Sequence, residues 1–169
     1  MKFFSGFSFK NEEYLFKQFL NSSQFSVSGF SYGSILAFEY VLYSNKRIDT
    51  LQLFSPAFFQ DSSEKFIRMQ LLYFKKDKDK YIDTFIKNSF SPNNISNNIE
   101  KKDDKYEDLE KLLKYSWNRE DIQKVLKKGT KIEIFLGGKD KIIDSAKTFE
   151  FFKEFGEVCL IKDVGHTLG

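Results

Sequence analysis

The sequence predicts an α/β fold: an about five-stranded, mostly parallel sheet carrying a helical insertion. Three observations carry this prediction. From residue 25 onward, short apolar and β-branched runs alternate with helical patterns, as in strands joined by crossover helices. One of these junctions holds Gly29-Phe30-Ser31-Tyr32-Gly33, a tight turn from strand into helix. Residues from about 59 to about 128 lack strand patterning and instead show helical stripes and one polar loop. The 169 residues fit one domain, 1–169, long enough to bury a sizeable core.

Taken in order, Lys2-Phe3-Phe4 is a very short strand, followed by the loop Ser5-Gly6-Phe7-Ser8-Phe9. Asn11 can cap a helix over Tyr14, Leu15, Phe16, Phe19 and Leu20, with Glu12 and Glu13 suited to its first turn. Phe25-Ser26-Val27 leads into the turn, and residues 34–42 leave it as a helix. Residues 48–54 form the next strand, stopped at Ser55-Pro56. In the insertion, Asp61 and Glu64 suit a capping box for a helix with Phe66, Met69, Leu72 and Tyr73 on one face. A second, short helix holds Tyr81, Ile82, Phe85 and Ile86, and residues 91–98 are a loop by composition. Two more amphipathic helices follow, one over Leu109, Leu112 and Leu113, the other capped by Asn118 and carrying Ile122, Val125 and Leu126. The sheet resumes at residues 131–136 and breaks at Gly137-Gly138-Lys139-Asp140. Asp144 or Ser145 caps a helix over Ala146, Phe149, Phe152 and Phe155, which Gly156 stops. A last strand, 158–161, runs into Asp163-Val164-Gly165-His166.

Composition excludes several classes. A net charge of +3 is too small to suggest nucleic acid as a partner. No run approaches the ~18 apolar residues of a membrane span, and the N-terminus has no continuous apolar segment of a signal peptide. The single cysteine, Cys159, sits in an apolar strand pattern and is expected in the core. A disulfide framework is therefore absent, and a cytoplasmic location is the expectation. The 21 phenylalanines reflect a compositional bias more simply than an acyl pocket.

The chemistry starts at Ser31. A strand-to-helix elbow lifts its Oγ above the sheet on strained backbone, and glycines two residues to either side leave room for the crowded turn. The amide of Tyr32, at the start of the helix, points where an oxyanion would form. A serine needs a base, and the chain has one histidine, His166, in the loop leaving the last strand. An acid must then orient the imidazole. Asp140, leaving the neighbouring strand after two glycines, is the first candidate; Asp163, on the exit of the histidine's own strand, is the other. The second oxyanion amide should come from the loop after the first strand, which assigns Phe7.

With these motifs located, the chain resembles a reduced α/β-hydrolase. More narrowly, it resembles the small esterases that demethylate pimeloyl-acyl-carrier-protein methyl ester in biotin synthesis. The resemblance rests on Phe3-Phe4-Ser5-Gly6-Phe7, on Gly29-Phe30-Ser31-Tyr32-Gly33, on Gly137-Gly138-Lys139-Asp140-Lys141-Ile142-Ile143 and on Gly165-His166, and it spans nearly the whole chain. It implies Ser31 as nucleophile, His166 as base, Asp140 as orienting acid and the Phe7 and Tyr32 amides as oxyanion hole, with no metal or cofactor. The insertion would form a lid and acyl channel walled by Phe54, Phe58, Phe59, Phe66, Met69 and Tyr73. The acyl-carrier protein, an acidic partner, would dock on Arg68, Lys75, Lys76 and Arg119, although acidic residues are interleaved with them.

The resemblance has gaps. About five strands can be read where the family has eight, and no helix follows the histidine. Ser5 stands where relatives often have histidine, and Phe7 where they have tryptophan. Strands taken in sequence order with right-handed crossovers would carry all their helices on one sheet face. The other face is then expected to be shielded by the insertion or by a second copy in a homodimer. A thioesterase or general carboxylesterase with the same triad, and a non-catalytic hydrolase-like binding protein, stay open as alternatives.

Overall fold

The computed structural model describes residues Met1–Gly169. Strands β1 (Lys2–Phe4), β3 (Ser26–Phe30), β4 (Thr50–Phe54), β6 (Lys131–Gly137) and β7 (Glu157–Ile161) pair in that order, every pair parallel. Two further segments, β2 (Phe9–Lys10) and β5 (Glu100–Lys101), form a separate antiparallel ladder that the sequence pattern did not disclose. The helices are α1 (Tyr32–Tyr43), α2 (Glu64–Lys76), α3 (Lys78–Phe90), α4 (Tyr106–Lys114), α5 (Arg119–Lys127) and α6 (Ser145–Phe152). No helix is long and apolar enough to cross a membrane.

The strand period of two sorts the sheet's side chains. Val27, Leu51, Leu53, Ile132, Ile134 and Leu136 lie on the face that α1 covers, all but Val27 at 1% exposure or less. Phe30, Phe54 and Phe135 lie on the other face. At these positions that face is covered by a segment of the chain other than the insertion. The chain between β1 and β3 crosses it: Phe16 stacks on Phe54 at 4.7 Å and meets Phe30 at 4.9 Å, and Phe19 meets Phe135 at 5.1 Å. The first connection therefore runs over the face opposite to α1, so the sequence-order expectation of one-sided cover fails there. Each aromatic pair in this row contributes about 1 kcal/mol beyond its burial, which favours the crossing. At β7, an edge strand, the cover stops. Cys159 is exposed rather than in the core.

Local differences have local causes. The helix expected after Asn11 is a five-residue 3₁₀ turn, Glu12–Phe16. Asn11 adopts φ 56° and caps nothing, because Glu12 turns inward to accept the Gly6 N–H instead of facing water in a first helical turn. Ser63, not Asp61, caps α2 by accepting the Phe66 N–H. Asp77 both follows α2 and caps α3, so the expected short second helix extends over 13 residues. Asn118 caps α5 as expected, and of the two candidates for α6, Asp144 and Ser145, it is Asp144 that caps it by accepting the Lys147 N–H. The last helix of the insertion does not belong with the others: α5 packs against α1 in the layer beside the sheet. Only α2 to α4 form a separate helical cap.

Candidate active site

The elbow is held by close packing of backbone. A Cβ on Gly29 would stand 2.2 Å from Gly33 O, and one on Gly33 would stand 2.0 Å from Phe4 O, so neither position admits a side chain. Ser31 itself takes φ 52°, ψ −115°, a strained conformation kept by its surroundings. Its N–H donates to Phe54 O and its C=O accepts from the Ala57 N–H, while Ser34 Oγ donates to Gly29 O at 2.7 Å. Strand, turn and helix are thus tied to the exit of β4.

His166 arrives from the end of β7 and meets both partners. Its Nε2 lies 2.9 Å from Ser31 Oγ and its Nδ1 lies 2.6 Å from Asp140 Oδ2. An ionised carboxylate only accepts, so Nδ1 carries the proton and the Nε2 lone pair accepts from the serine hydroxyl. Asp140 is itself aimed by the Ile142 and Ile143 N–H groups, which donate to Oδ1 at 2.7 and 3.1 Å. The histidine loop is pinned from two sides: Ser55 Oγ donates to His166 O, and the Thr167 N–H donates to Ser89 O. Asp163 instead pairs with Lys139 in solvent. The His166 and Asp140 side chains are fully buried, and Ser31 is 2% exposed.

Two backbone donors, one at the elbow and one in the loop after β1, lack partners. Tyr32 opens α1, so its N–H has no carbonyl one turn back, and no other acceptor takes it. The Phe7 N–H likewise donates to nothing in the chain, although Phe7 is fully buried and the N–H groups of Gly6 and Ser8 on either side are both bonded. Burial pushes the Tyr32 phenol up to about 12, assisted by Asp108, so it stays neutral and donates to Asp108 Oδ1.

A cavity of about 580 Å³ lies under α2, α3 and α4, within the usual range for small-molecule sites. Of the side chains expected as walls, Phe59, Phe66 and Tyr73 line it. Phe54 and Phe58 do not: Phe54 is stacked between Phe16 and Phe135 in the sheet's core, and Phe58 packs on Phe151 and Phe152. Met69 is half-buried on α2 and does not reach the cavity. Tyr81, Phe85, Leu109, Leu112, Leu113 and Ile142 complete the apolar wall; the stripe on α4 is visible in the sequence, but nothing there says which space it faces. No triad residue lines the cavity. It approaches the triad through Lys141 and Ile142, which follow Asp140, and through Phe85, whose ring meets that of Phe7 edge-on at 5.6 Å. Lys76 lines the cavity, Lys75 lies over the Tyr106 ring, and Arg68 is exposed on the same helix. Arg119 does not join them. It is on α5, bonded to Glu154 and lying over the Phe151 and Phe155 rings.

No protein-family model matches the sequence, and comparison with curated proteins finds no match either. Solved structures do match. A bromoperoxidase from Bacillus anthracis superposes with a TM-score of 0.62 at 18% identity over 85% of this chain and 60% of that one. Naproxen esterase (carboxylesterase NP) from Bacillus subtilis gives 0.59 at 16% identity over 85% of this chain and 53% of that one. An esterase from Exiguobacterium antarcticum gives 0.57 at 13% identity, covering 98% of this chain and 85% of that one. The chain has the α/β-hydrolase fold. It spans little more than half the length of the Bacillus subtilis structure, so the α/β-hydrolase sheet here is a five-stranded version of that architecture.

Proposed function

We propose that this chain is a serine carboxylesterase and that its substrate is the methyl ester of pimeloyl-acyl-carrier protein, released as pimeloyl-acyl-carrier protein and methanol. The observation that carries the esterase reading is the unbroken relay Ser31–His166–Asp140, together with the two unbonded amides of Tyr32 and Phe7. Ser31 Oγ attacks the ester carbonyl carbon while its proton passes to His166 Nε2. The oxyanion is held by the Phe7 and Tyr32 N–H groups, each worth about 3 kcal/mol of barrier. Collapse breaks the acyl carbon–oxygen bond, and His166 gives its proton to the departing methanol. Water then repeats the sequence on the acyl-serine, freeing the carboxylate and restoring Ser31.

The finer assignment is supported by the resemblance of the triad motifs and by the apolar cavity. In this reading Phe59, Phe66 and Tyr73 contact the acyl chain, and Arg68, Lys75 and Lys76 meet the acidic carrier. A serine-directed fluorophosphonate should label the wild type and leave Ser31→Ala unlabelled. Methanol release from the carrier-linked ester should fall several-fold when Arg68, Lys75 and Lys76 are reversed to Glu, with hydrolysis of free dimethyl pimelate unchanged. Equal turnover of the carrier-linked ester by wild type and reversal variant removes the docking assignment.

The 2% exposure of Ser31 and its separation from the cavity favour a second reading, a hydrolase-like binding protein without turnover. The same labelling experiment decides between them: a wild type that resists the probe while binding acyl ligands supports the second.

A further inference from the structure

Three successive amides in the loop after β1 are treated differently. The Gly6 N–H donates to Glu12 Oε1 at 2.7 Å, the Ser8 N–H donates to Asp104 Oδ2 at 2.6 Å, and the Phe7 N–H between them is free. Ser8 stands at φ 61°, a left-handed conformation that a residue other than glycine keeps only when something holds it. What holds it comes from the insertion. Besides the Asp104 bond, Ser8 O accepts the Lys102 N–H at 3.2 Å, and the adjoining β2–β5 ladder pairs Phe9 with Lys101 and Lys10 with Glu100.

The same stretch also reaches Tyr32, the other donor residue. Asp108 Oδ1 accepts the Tyr32 hydroxyl at 3.4 Å, its Oδ2 accepts the Lys105 N–H at 2.9 Å, and Lys111 pairs with Glu39 of α1 at 2.8 Å. Asp104 is 2% exposed, with Oδ1 on the Lys102 ammonium at 2.6 Å. Burying a carboxylate is costly, and its geometry is well satisfied here, which is the pattern of a charge kept for position rather than for net stability.

We infer that Asp104 is a positioning residue for the oxyanion hole: by holding the Ser8 amide it aims the Phe7 N–H, so the insertion completes the catalytic site as well as roofing it. This rests on the esterase reading above. An oxyanion donor works only within a few tenths of an ångström of its place, and loss of one donor typically lowers kcat by about 10²-fold or more.

The test compares wild type, Asp104→Ala and Asp104→Asn in hydrolysis of p-nitrophenyl butyrate, in affinity for an alkyl trifluoromethyl ketone, and in Tm. Asp104→Ala should lower kcat about 100-fold with KM within about twofold, and should weaken the ketone, which mimics the tetrahedral intermediate, by a similar factor. Asp104→Asn keeps an oxygen acceptor at the same reach and should stay within a few-fold of wild type. Should Asp104→Ala fail to fold, the double variant Lys102→Met, Asp104→Leu removes both charges together and should give the same kcat loss in a folded protein. A folded variant lacking the acceptor but keeping wild-type kcat, or losing kcat with undiminished ketone affinity, overturns the inference. So does an Asn variant as impaired as the acceptor-free one. A wild type without Ser31-dependent hydrolysis overturns the esterase reading and the inference with it, whereas an active wild type indifferent to Asp104 overturns the inference alone.

Discussion

Ser31 and Phe7 serve one proposed reaction, yet the chain places them by different means. Most groups that shape the serine elbow are close in sequence: the β3 backbone, the start of α1, and Gly29, whose missing side chain lets strand and helix touch, while the bare Gly33 admits the Phe4 carbonyl of β1. Neighbouring strands only complete it. On the inference above, the Phe7 amide is instead aimed through its neighbours, by Glu12, six residues on from the Gly6 it holds, and by Asp104, 96 residues away from the Ser8 it holds. A serine shaped mainly by local backbone depends less on the insertion, whereas an amide flanked by a bond to a distant carboxylate depends on the insertion being in place. Tyr32 belongs to both arrangements, with its amide fixed by the elbow and its hydroxyl held by α4.

Three further measurements break or sharpen this contrast. The largest effect is expected at the relay itself. Asp140→Asn should lower kcat about 10⁴-fold, because an amide that donates to Nδ1 selects the tautomer whose Nε2 cannot take the serine proton. Circular dichroism and Tm should show an intact fold, since Ile142 and Ile143 can still donate to the amide oxygen; a loss under tenfold would remove Asp140 from the relay. Next, Gly33→Ala should destabilise the protein by about 3 kcal/mol in urea unfolding, because the Cβ meets the Phe4 carbonyl, a backbone atom with no rotamer to change. A cost below about 1 kcal/mol would mean the elbow is less tightly determined than its contacts indicate.

The smallest effect concerns Glu12. Burial holds its carboxyl above the ordinary glutamate range, and its Oε2 is buried without a partner. The folded state therefore holds this proton more firmly than the unfolded chain does. Its contribution to stability is full at acid pH and is lost as pH rises from the ordinary glutamate range through the raised folded value. Glu12→Gln keeps an oxygen for the Gly6 N–H and removes the titration. Urea midpoints measured across that range should fall with pH in the wild type more than in the variant, and parallel curves would refute the assignment.

Legibility in the sequence follows the same division. The elbow, the acid after Gly137-Gly138, the histidine loop and the caps Asn118 and Asp144 were readable because each is a short pattern whose partners are close by or whose order is distinctive. Glu12 suits a first helical turn in the sequence, and its actual partner, the Gly6 amide, lies in a loop with no pattern of its own. Phe54 and Phe58 read as cavity walls in the sequence because phenylalanine looks alike in a core and in a channel; their ring contacts with Phe16, Phe135 and Phe152 place them in the core. Arg119 looks like a free docking cation in the sequence because its partner, Glu154, lies 35 residues further on. The two-residue strands β2 and β5 are too short for any alternation to show.

By itself, then, the sequence determined the parallel α/β order and the residues that could form a nucleophilic relay, since period-two and helical patterns and tight glycine turns are local consequences of backbone sterics. Tertiary structure alone decided which face the first connection crosses, which aromatic rings line space rather than fill it, and that a carboxylate in the insertion grips the loop beside the serine. Those depend on contacts between segments far apart in the chain, and many pairings of such segments are compatible with the same local patterns; only packing selects among them.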